Sequence, residues 1–418
     1  MPPTSVDEYD AQLGYHPSVI PLDIRLGVSS SPAGGEDVVL RWGIIATGKV
    51  AHDFTQVLKF LSISAGRHAA VAVGSRTKVR AEEFAALHSI PAAHGSYEEL
   101  CADPNVDIVY VASLHPDHRS HAEMALNAGK HVLVEKPMCM KAEDAQFLYD
   151  FGKKKGLFVG EGMWTRFFPA VEWTRMHLGD GGIGTVRVVH CDFNIDGDDV
   201  GPYPTDSIYA RELGGGTSWT MGPYVIAAAM MPFGKEPDSI AANGVLANDG
   251  EDVGELAVGM TMTFRNCENS SSPSSSDNRG PPITISIANG MVGYLAEDSE
   301  ETQYAGKGGR ITLLRPAHCP TSARLTPKLS GRGNDDKAKV AAGGNTETFV
   351  EFPLPPSLPE IEASGGIQMP NSMGFIYEAE AVRRLIGAGQ ITFPQWTPEE
   401  SVGCIRTIEE ILKQINQN

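Results

Sequence analysis

The first half of the chain alternates short apolar runs with helix-like segments, and this alternation constrains the fold more than any other feature. Apolar runs at 38–45, 69–74 and 107–112 are each followed by a stretch of helical character. Such alternation is typical of a parallel sheet whose strands are joined by crossover helices. We therefore predict a doubly wound α/β domain of the Rossmann type over residues 38–165.

A further apolar run at 131–134 leads into Glu135, Lys136 and Pro137. Ligands of open α/β sheets bind outside the carboxyl ends of the strands, so Lys136 is aimed at the expected site. Pro137 ends the strand and restricts the backbone there. A solvated turn is the alternative for these three residues taken alone, but the surrounding strands favour a site.

The turn after the first strand is similar to the dinucleotide-binding pattern Gly-x-Gly-x-x-Gly/Ala, with Ala46 at the first glycine position. Gly48 lets a pyrophosphate approach the backbone, and the following helix N-terminus offers free N–H groups. The alternative is that any strand-to-helix turn favours small residues. The predicted cofactor contacts here are Ala46, Thr47, Gly48, Lys49 and Val50.

The second strand ends at Ser75 and Arg76, with no acidic residue to bind a ribose 2′-hydroxyl. A guanidinium suits a 2′-phosphate, so we predict NADP, with NAD as the weaker candidate. The alternative is a surface arginine beside Thr77, which caps the next helix.

Three histidines follow the run at 107–112 and invite a metal interpretation. Pro116 takes His115 off any helical face shared with His118 and His121, and no carboxylate lies at ligand spacing. We therefore predict a loop beside the cofactor and no metal site. The predicted contacts are Ser113, His115 and His118, together with Glu135 and Lys136.

Regular alternation stops near residue 165, at an aromatic-rich linker. Trp164, Arg166 and Phe168 are predicted to line an inter-domain cleft and bind substrate, although core packing between domains is compatible with the same pattern. Residues 166–418 are predicted to form an α+β domain with a large open, mainly antiparallel sheet. Its strand-like runs are 185–194, 238–248, 254–265, 282–288, 291–296 and 310–314, its helices 169–178, 372–387 and 398–415, and its polar insertions 268–280 and 326–346.

Composition limits the partners. Lys+Arg 34 against Asp+Glu 52 gives a net charge of −18, which disfavours nucleic acid and anionic membranes. Six scattered cysteines indicate neither a disulfide framework nor a zinc site. We see no signal peptide and no membrane span, and expect a cytoplasmic protein with a disordered extension at 1–37.

The glycine-rich stretch 214–224 ends in an apolar helix. Pro223 suits a first helical turn, and Thr220 and Tyr224 lie one turn apart. Glycines before a buried helix are consistent with backbone held close to a ligand.

Together these segments resemble the glucose–fructose oxidoreductase / inositol dehydrogenase (Gfo/Idh/MocA) family, over residues 38 to about 415. The resemblance rests on 42–51, 131–137 and 214–224. Within the family, 96–100, 164–169 and Tyr224 are most similar to the branch of dimeric dihydrodiol dehydrogenases and NADP-dependent D-xylose 1-dehydrogenases.

The resemblance implies an NADP-dependent hydride-transfer enzyme that acts on a small sugar or diol and forms a homodimer through its C-terminal sheet. Lys136 matches the family's catalytic lysine, and Tyr224 matches the acid/base proposed for the branch. An ammonium beside a phenol favours the phenolate, so we expect a lowered pKa for Tyr224. Thr220 replaces the usual aspartate and supplies no charge to orient Lys136, which makes reduced activity, a shifted substrate or loss of catalysis more plausible.

Three functions are therefore in view. The first is oxidation of a cyclic sugar, with D-xylose to D-xylono-1,5-lactone as the nearest family example. The second is oxidation of trans-1,2-dihydrobenzene-1,2-diol to a catechol. The third is a non-catalytic protein that senses NADP(H), in which Lys136 and Tyr224 would have no catalytic use.

Overall fold

The computed structural model of the protein describes residues 39–179, 181–246, 252–267, 283–294, 296, 300–328 and 346–417. The predicted extension at 1–37 and the insertion at 268–280 lie outside the described residues, as does most of the loop at 326–346. The described chain contains a six-stranded sheet and an eight-stranded sheet. This confirms the predicted fold class. The proposed boundary near residue 165 falls between the two sheets and stays a prediction.

The six-stranded sheet, with its helices, is called the first domain. Its strands are β1 (Leu40–Ile45), β2 (His68–Gly74), β3 (Ala92–His94), β4 (Ile108–Val111), β5 (His131–Glu135) and β6 (Val159–Gly162). They run in the order β3-β2-β1-β4-β5-β6, and every pairing is parallel. The carboxyl ends of β1, β2, β4 and β5 therefore share one edge, where the predicted cofactor residues lie.

Helices connect these strands: α1 (Lys49–Ala65), α2 (Lys78–His88), α3 (Tyr97–Ala102), α4 (His118–Asn127) and α5 (Ala142–Lys155). The Thr77 side chain accepts a hydrogen bond from the backbone N–H of Arg80, as the capping alternative predicted. Ser96 caps α3 in the same way. Local sequence therefore fixes where these helices begin.

The eight-stranded sheet, with its helices, is called the second domain. Its strands are β7 (Val186–Asn194), β8 (Ser239–Leu246), β9 (Glu255–Cys267), β10 (Ile283–Gly293), β11 (Thr302–Gly306), β12 (Gly309–Leu313), β13 (Ser322–Pro327) and β14 (Thr348–Glu351). Their order is β14-β13-β12-β11-β7-β10-β9-β8. All pairings are antiparallel except β7 with β10.

The prediction of two separate strands at 282–288 and 291–296 is wrong, because β10 runs without a break to Gly293. Gly290 lies between the two predicted runs. In the structure a Cβ added there would lie 2.5 Å from the Val225 side chain. The glycine therefore permits close packing of a helix on the sheet rather than a change of direction.

The helices after residue 165 are α6 (Pro169–Gly179), α7 (Thr217–Thr220), α8 (Gly222–Met230), α9 (Pro359–Glu362), α10 (Phe375–Gly387) and α11 (Pro398–Ile415). Helix α8 packs on β7 and β10, whereas α10 packs on α1 of the first domain. A hydrogen bond of 3.1 Å between His68 and Glu380 fixes α10 to β2. No helix of the described residues is long and apolar enough to cross a membrane.

The other face of the second sheet is open. Along β10, Ile285, Ile287 and Met291 are 54%, 40% and 42% exposed, whereas Ser286 and Ala288, which alternate with them, are buried. This alternation is that of a strand with one face on the core. The exposed face is more apolar than solvent contact alone would favour.

Candidate active site

Lys136 follows β5 and reaches the second domain. Its ammonium nitrogen donates a hydrogen bond to the backbone oxygen of Thr220 at 2.8 Å. It also lies 5.0 Å from the centroid of the Tyr224 ring. Lys136, Tyr224 and Thr220, the three residues predicted to be catalytic, therefore lie in one site, although Lys136 comes from the first domain and the other two from the second.

Tyr224 is held by its position in the first turn of α8 and by an aromatic neighbour. Its hydroxyl oxygen accepts a hydrogen bond of 3.0 Å from the indole N–H of Trp164. The Trp164 ring stacks on Phe375 at 4.3 Å and meets Phe168 edge-on at 5.2 Å. Trp164 thus contacts Tyr224 directly, whereas Phe168 lies behind Trp164 in the core.

Burial acts in opposite directions on the two proposed catalytic groups. It lowers the pKa of Lys136, although the carboxyl groups of Glu135 and Glu161 oppose that shift. It raises the pKa of Tyr224 well above the usual phenol value, and Glu135 adds to the rise. The expected lowering of the Tyr224 pKa is therefore wrong, because desolvation of the phenolate dominates.

Two carboxyl groups lie close to Lys136, namely Glu135, which the sequence placed among the cofactor contacts, and Glu161, which it did not single out. The Tyr110 hydroxyl and the Lys136 backbone N–H both donate to Glu135. Glu161 accepts three hydrogen bonds, from Met138, Trp396 and Ser401. Burial raises the pKa of both carboxyl groups. Glu161 lies in β6, near the carboxyl edge of the first sheet, and this position was the available signal.

Glu378 on α10 differs from these carboxyl groups. It is fully buried, and neither oxygen has a hydrogen-bond partner among the described residues. Burial and the neighbouring Glu135 and Glu161 raise its pKa well above the usual carboxyl value, which favours its neutral acid form. Its position in a helix far along the chain gave no signal in the sequence.

Thr220 contacts Lys136 through its backbone oxygen and not through its side chain. Its hydroxyl donates to the Gly216 oxygen at 2.8 Å or pairs with the Tyr294 hydroxyl at 2.6 Å. A Cβ at Gly216, where φ is +100°, would lie 2.8 Å from the Glu255 carboxylate. This glycine accommodates protein atoms, which differs from the expectation of a ligand against the backbone.

The turn at 46–50 fits the pyrophosphate of a dinucleotide. Gly48 precedes α1 without a capping side chain, and a Cβ placed there would meet no atom within 4 Å. The N–H groups of Lys49 and Val50 have no acceptor within the helix and are available to an anion. Ala46 has φ of +75°, the left-handed conformation that the missing glycine would adopt more easily.

Ser75 and Arg76, the predicted cofactor contacts, follow the end of β2. Ser75 is buried, and its N–H donates to the His94 oxygen at 3.2 Å. Arg76 is exposed and makes no hydrogen bond or ion pair within the described part of the chain. Its guanidinium is therefore free for a phosphate group.

The histidines after β4 hold loops together. His115 is hydrogen-bonded to the Gly214 oxygen at 3.0 Å, and the two ring nitrogens of His118 lie 2.9 Å from the Pro137 oxygen and 3.0 Å from the Ser113 oxygen. Burial lowers the pKa of His115 to about 3 and that of His118 to about 4. Both rings are thus neutral, so the single N–H of His118 donates to one of these two oxygens. The described residues contain no group of side chains suited to a metal ion.

Arg166 was predicted to bind substrate, but its contacts are those of a core residue. Its guanidinium donates to Glu400 at 3.1 Å and to the Ala227 oxygen at 2.7 Å. It also lies 4.6 Å from the centre of the Trp396 ring. These contacts match the alternative of core packing.

One residue that sequence reasoning did not single out faces the site. The His318 ring stacks on Phe193 with centroids 4.3 Å apart, and its centroid lies 5.4 Å from that of Tyr224. These three rings border one cavity. A lone histidine in a loop beside Pro320 carried no signal from spacing.

Two family models match the chain. The first, an oxidoreductase family with an NAD-binding Rossmann fold, matches residues 40–163. The second, the GFO/IDH/MocA C-terminal domain, matches residues 172–291.

Curated relatives match along most of the chain. Trans-1,2-dihydrobenzene-1,2-diol dehydrogenase of Danio rerio is 34% identical over 383 residues, which covers 90% of this chain and 97% of the relative. The human protein of the same name is 32% identical over 379 residues, with the same coverage.

Solved structures share the fold at lower identity. A levoglucosan dehydrogenase in complex with NADH and levoglucosan has a TM-score of 0.71 at 15% identity, covering 90% of this chain and 97% of that one. A 3-ketoreductase from Actinomadura kijaniata in complex with NADP has a TM-score of 0.66 at 20% identity, covering 90% and 98%. At such identities the likeness concerns the fold alone.

Proposed function

The chain belongs to the Gfo/Idh/MocA oxidoreductase family, and from that premise we propose that it is an NADP-dependent dehydrogenase that oxidises a CH–OH group. One observation carries the proposal. The Lys136 ammonium lies 2.8 Å from the Thr220 oxygen and 5.0 Å from the Tyr224 ring centre, at the edge where the strands of the first sheet end. This arrangement favours catalysis over a non-catalytic sensor, in which Lys136 and Tyr224 would have no catalytic use.

In the proposed mechanism the bound nicotinamide supplies the hydride acceptor. Lys136 and Tyr224 hold the hydroxyl oxygen of the substrate between an amine and a phenol. Burial lowers the pKa of Lys136 and raises that of Tyr224, so we assign proton uptake to the neutral amine of Lys136. Tyr224 then donates a hydrogen bond to the same oxygen. This assignment revises the sequence-based choice of Tyr224 as the base.

For the substrate, the curated relatives favour the second sequence-based candidate over the first. Their printed name is trans-1,2-dihydrobenzene-1,2-diol dehydrogenase, at 32–34% identity over 90% of this chain. We therefore place a trans-dihydrodiol first and D-xylose second. Both are cyclic molecules with hydroxyl groups on neighbouring carbons.

NADP is proposed over NAD because Arg76 is exposed at the end of β2 and no acidic side chain stands beside it in the sequence. The proposal of a homodimer rests on the open face of the second sheet, where Ile285, Ile287 and Met291 are exposed. A cytoplasmic location stays a prediction from the sequence.

The test is absorbance of NADPH at the nicotinamide band, with NADP or NAD supplied to the full chain. The substrates are trans-1,2-dihydrobenzene-1,2-diol, D-xylose and a panel of aldoses. Turnover of the dihydrodiol with NADP is expected. Tight NADPH binding with no turnover across the panel would instead support a sensor.

A further inference from the structure

A histidine–glutamate pair of the second domain lies beside Tyr224, one of the two proposed catalytic residues. His318 lies in the loop between β12 and β13, and its side chain is 14% exposed. Its Nδ1 is hydrogen-bonded to a carboxylate oxygen of Glu300, whose side chain is 8% exposed. The carboxylate therefore orients the ring.

The position of the ring is fixed on two further sides. It stacks on Phe193 with an interplanar angle of 8°, and the Thr165 hydroxyl donates to the His318 backbone oxygen. Its centroid is 5.4 Å from that of Tyr224 and 6.1 Å from that of Trp164. A small substrate held at Tyr224 thus comes within reach of the imidazole.

The second ring nitrogen, Nε2, remains available for a ligand. Its contact within the described residues is the Cys319 sulfur at 3.3 Å. The thiol has another acceptor, the Pro370 oxygen at 3.6 Å, and burial raises the thiol pKa, so the sulfur stays protonated. Thiols form weak hydrogen bonds, which a hydroxyl group readily replaces.

A structural role for the pair in holding the loop is the competing explanation. However, the contact with Glu300 uses only Nδ1, whereas Nε2 has a weak thiol contact, and the ring lies beside Tyr224 and Trp164. A ring nitrogen with so weak a partner is better satisfied when a bound hydroxyl group hydrogen-bonds to it.

We propose that His318, oriented by Glu300, is a specificity-determining residue that hydrogen-bonds the hydroxyl group next to the carbon that is oxidised. The substrate class is then a cyclic vicinal diol. This inference rests on the proposed dehydrogenase function, whose two candidate substrates share that feature.

The experiment compares trans-cyclohexane-1,2-diol with cyclohexanol, which lacks the second hydroxyl group. In the full chain with NADP, His318→Phe keeps the stacking on Phe193 but removes both ring nitrogens. We expect kcat/KM for the diol to fall about 10- to 100-fold, the effect of one hydrogen bond to a polarised group. The value for cyclohexanol should change by less than about 3-fold.

Glu300→Gln should also lower kcat/KM for the diol, but by a smaller factor, because the glutamine amide still contacts the His318 ring. His177→Phe is the control, since His177 packs on the Trp173 ring on α6 with centroids 4.3 Å apart and does not border the cavity. It should leave both substrates unchanged.

Calorimetric binding of each alcohol to the NADPH complex separates this inference from the proposed function. If the wild-type protein oxidises neither these alcohols nor the panel above, the dehydrogenase function fails, but weaker diol binding in His318→Phe still supports a hydrogen bond between His318 and a hydroxyl group of the ligand. Equal losses for both alcohols, unchanged diol binding, or a wild-type protein that binds neither alcohol would overturn it.

Discussion

The two domains contribute to the site in different ways. In the first domain, the turn at 46–50, Arg76 and Lys136 all follow strands of one parallel sheet, so its geometry brings them to one edge. In the second domain, Phe193, Tyr224 and His318 come from a strand, a helix and a loop. The comparison suggests that the first domain supplies chemistry common to all substrates, whereas the second selects among them.

The largest expected effect tests the first half of that comparison. Lys136→Met should lower kcat at least ~100-fold for every substrate, because it removes the group assigned to proton uptake. Steady-state kinetics on the dihydrodiol and on D-xylose measures this, with NADPH affinity as a check on the fold. The control is Lys141→Met, since Lys141 is exposed on the surface. A loss confined to one substrate would break the comparison.

The pH dependence of kcat/KM tests the assignment of proton uptake to Lys136. Oxidation needs the neutral amine, so kcat/KM should rise with pH as Lys136 loses its proton. Because burial lowers this pKa, the rise should level off below the usual lysine value of about 10.4. This rise of kcat/KM with pH should be absent from the residual activity of Lys136→Met. Its persistence there would assign the titration to another group.

Tyr224→Phe probes a second-domain residue that we place in the common chemistry. We expect kcat to fall about 10- to 100-fold on every substrate, since a charge-assisted hydrogen bond to the reacting oxygen is lost. The Trp164 indole also loses its acceptor, so the free energy of unfolding should drop by about 1 kcal/mol. Rates near those of the wild type would remove Tyr224 from the mechanism.

Arg76→Ala should affect the cofactor alone. NADPH binding should weaken about 10-fold or more, whereas NADH binding changes little, because the guanidinium is proposed to contact the 2′-phosphate. Fluorescence titration of both nucleotides measures the difference. Arg80→Ala, an exposed arginine on α2, is the matched control. Equal losses for the two nucleotides would end the NADP proposal.

The smallest effect concerns the turn itself. Ala46→Gly should raise the free energy of unfolding by about 0.5–1 kcal/mol, since relief of left-handed strain outweighs the added freedom of the unfolded chain. Gly66→Ala, at the other end of α1 with φ of +66° and open space around it, should lose a similar amount. Denaturant unfolding measures both changes. A destabilised Ala46→Gly variant would contradict the strain.

The difference between the two domains also explains which features could be predicted from the sequence and which could not. The fold class, the turn at 46–50 and the meeting of Lys136 with Tyr224 follow from strand ends and a family resemblance. His318 and Glu378 could not be found, because their roles depend on tertiary contacts with distant residues. The raised pKa of Tyr224 was missed for a related reason, since burial cannot be measured from spacing.

The lysine of this site rests against a main-chain oxygen, and main-chain atoms are present whichever amino acid the codon specifies. The amino acid at position 220 can therefore be substituted without loss of the hydrogen bond to the Lys136 ammonium group, provided that the short helix α7 keeps its shape. The side chain of Thr220 is therefore not needed to hold Lys136 and can make other contacts, such as the one with the Tyr294 hydroxyl. It also explains how a chain can dispense with an aspartate there and keep its lysine in place.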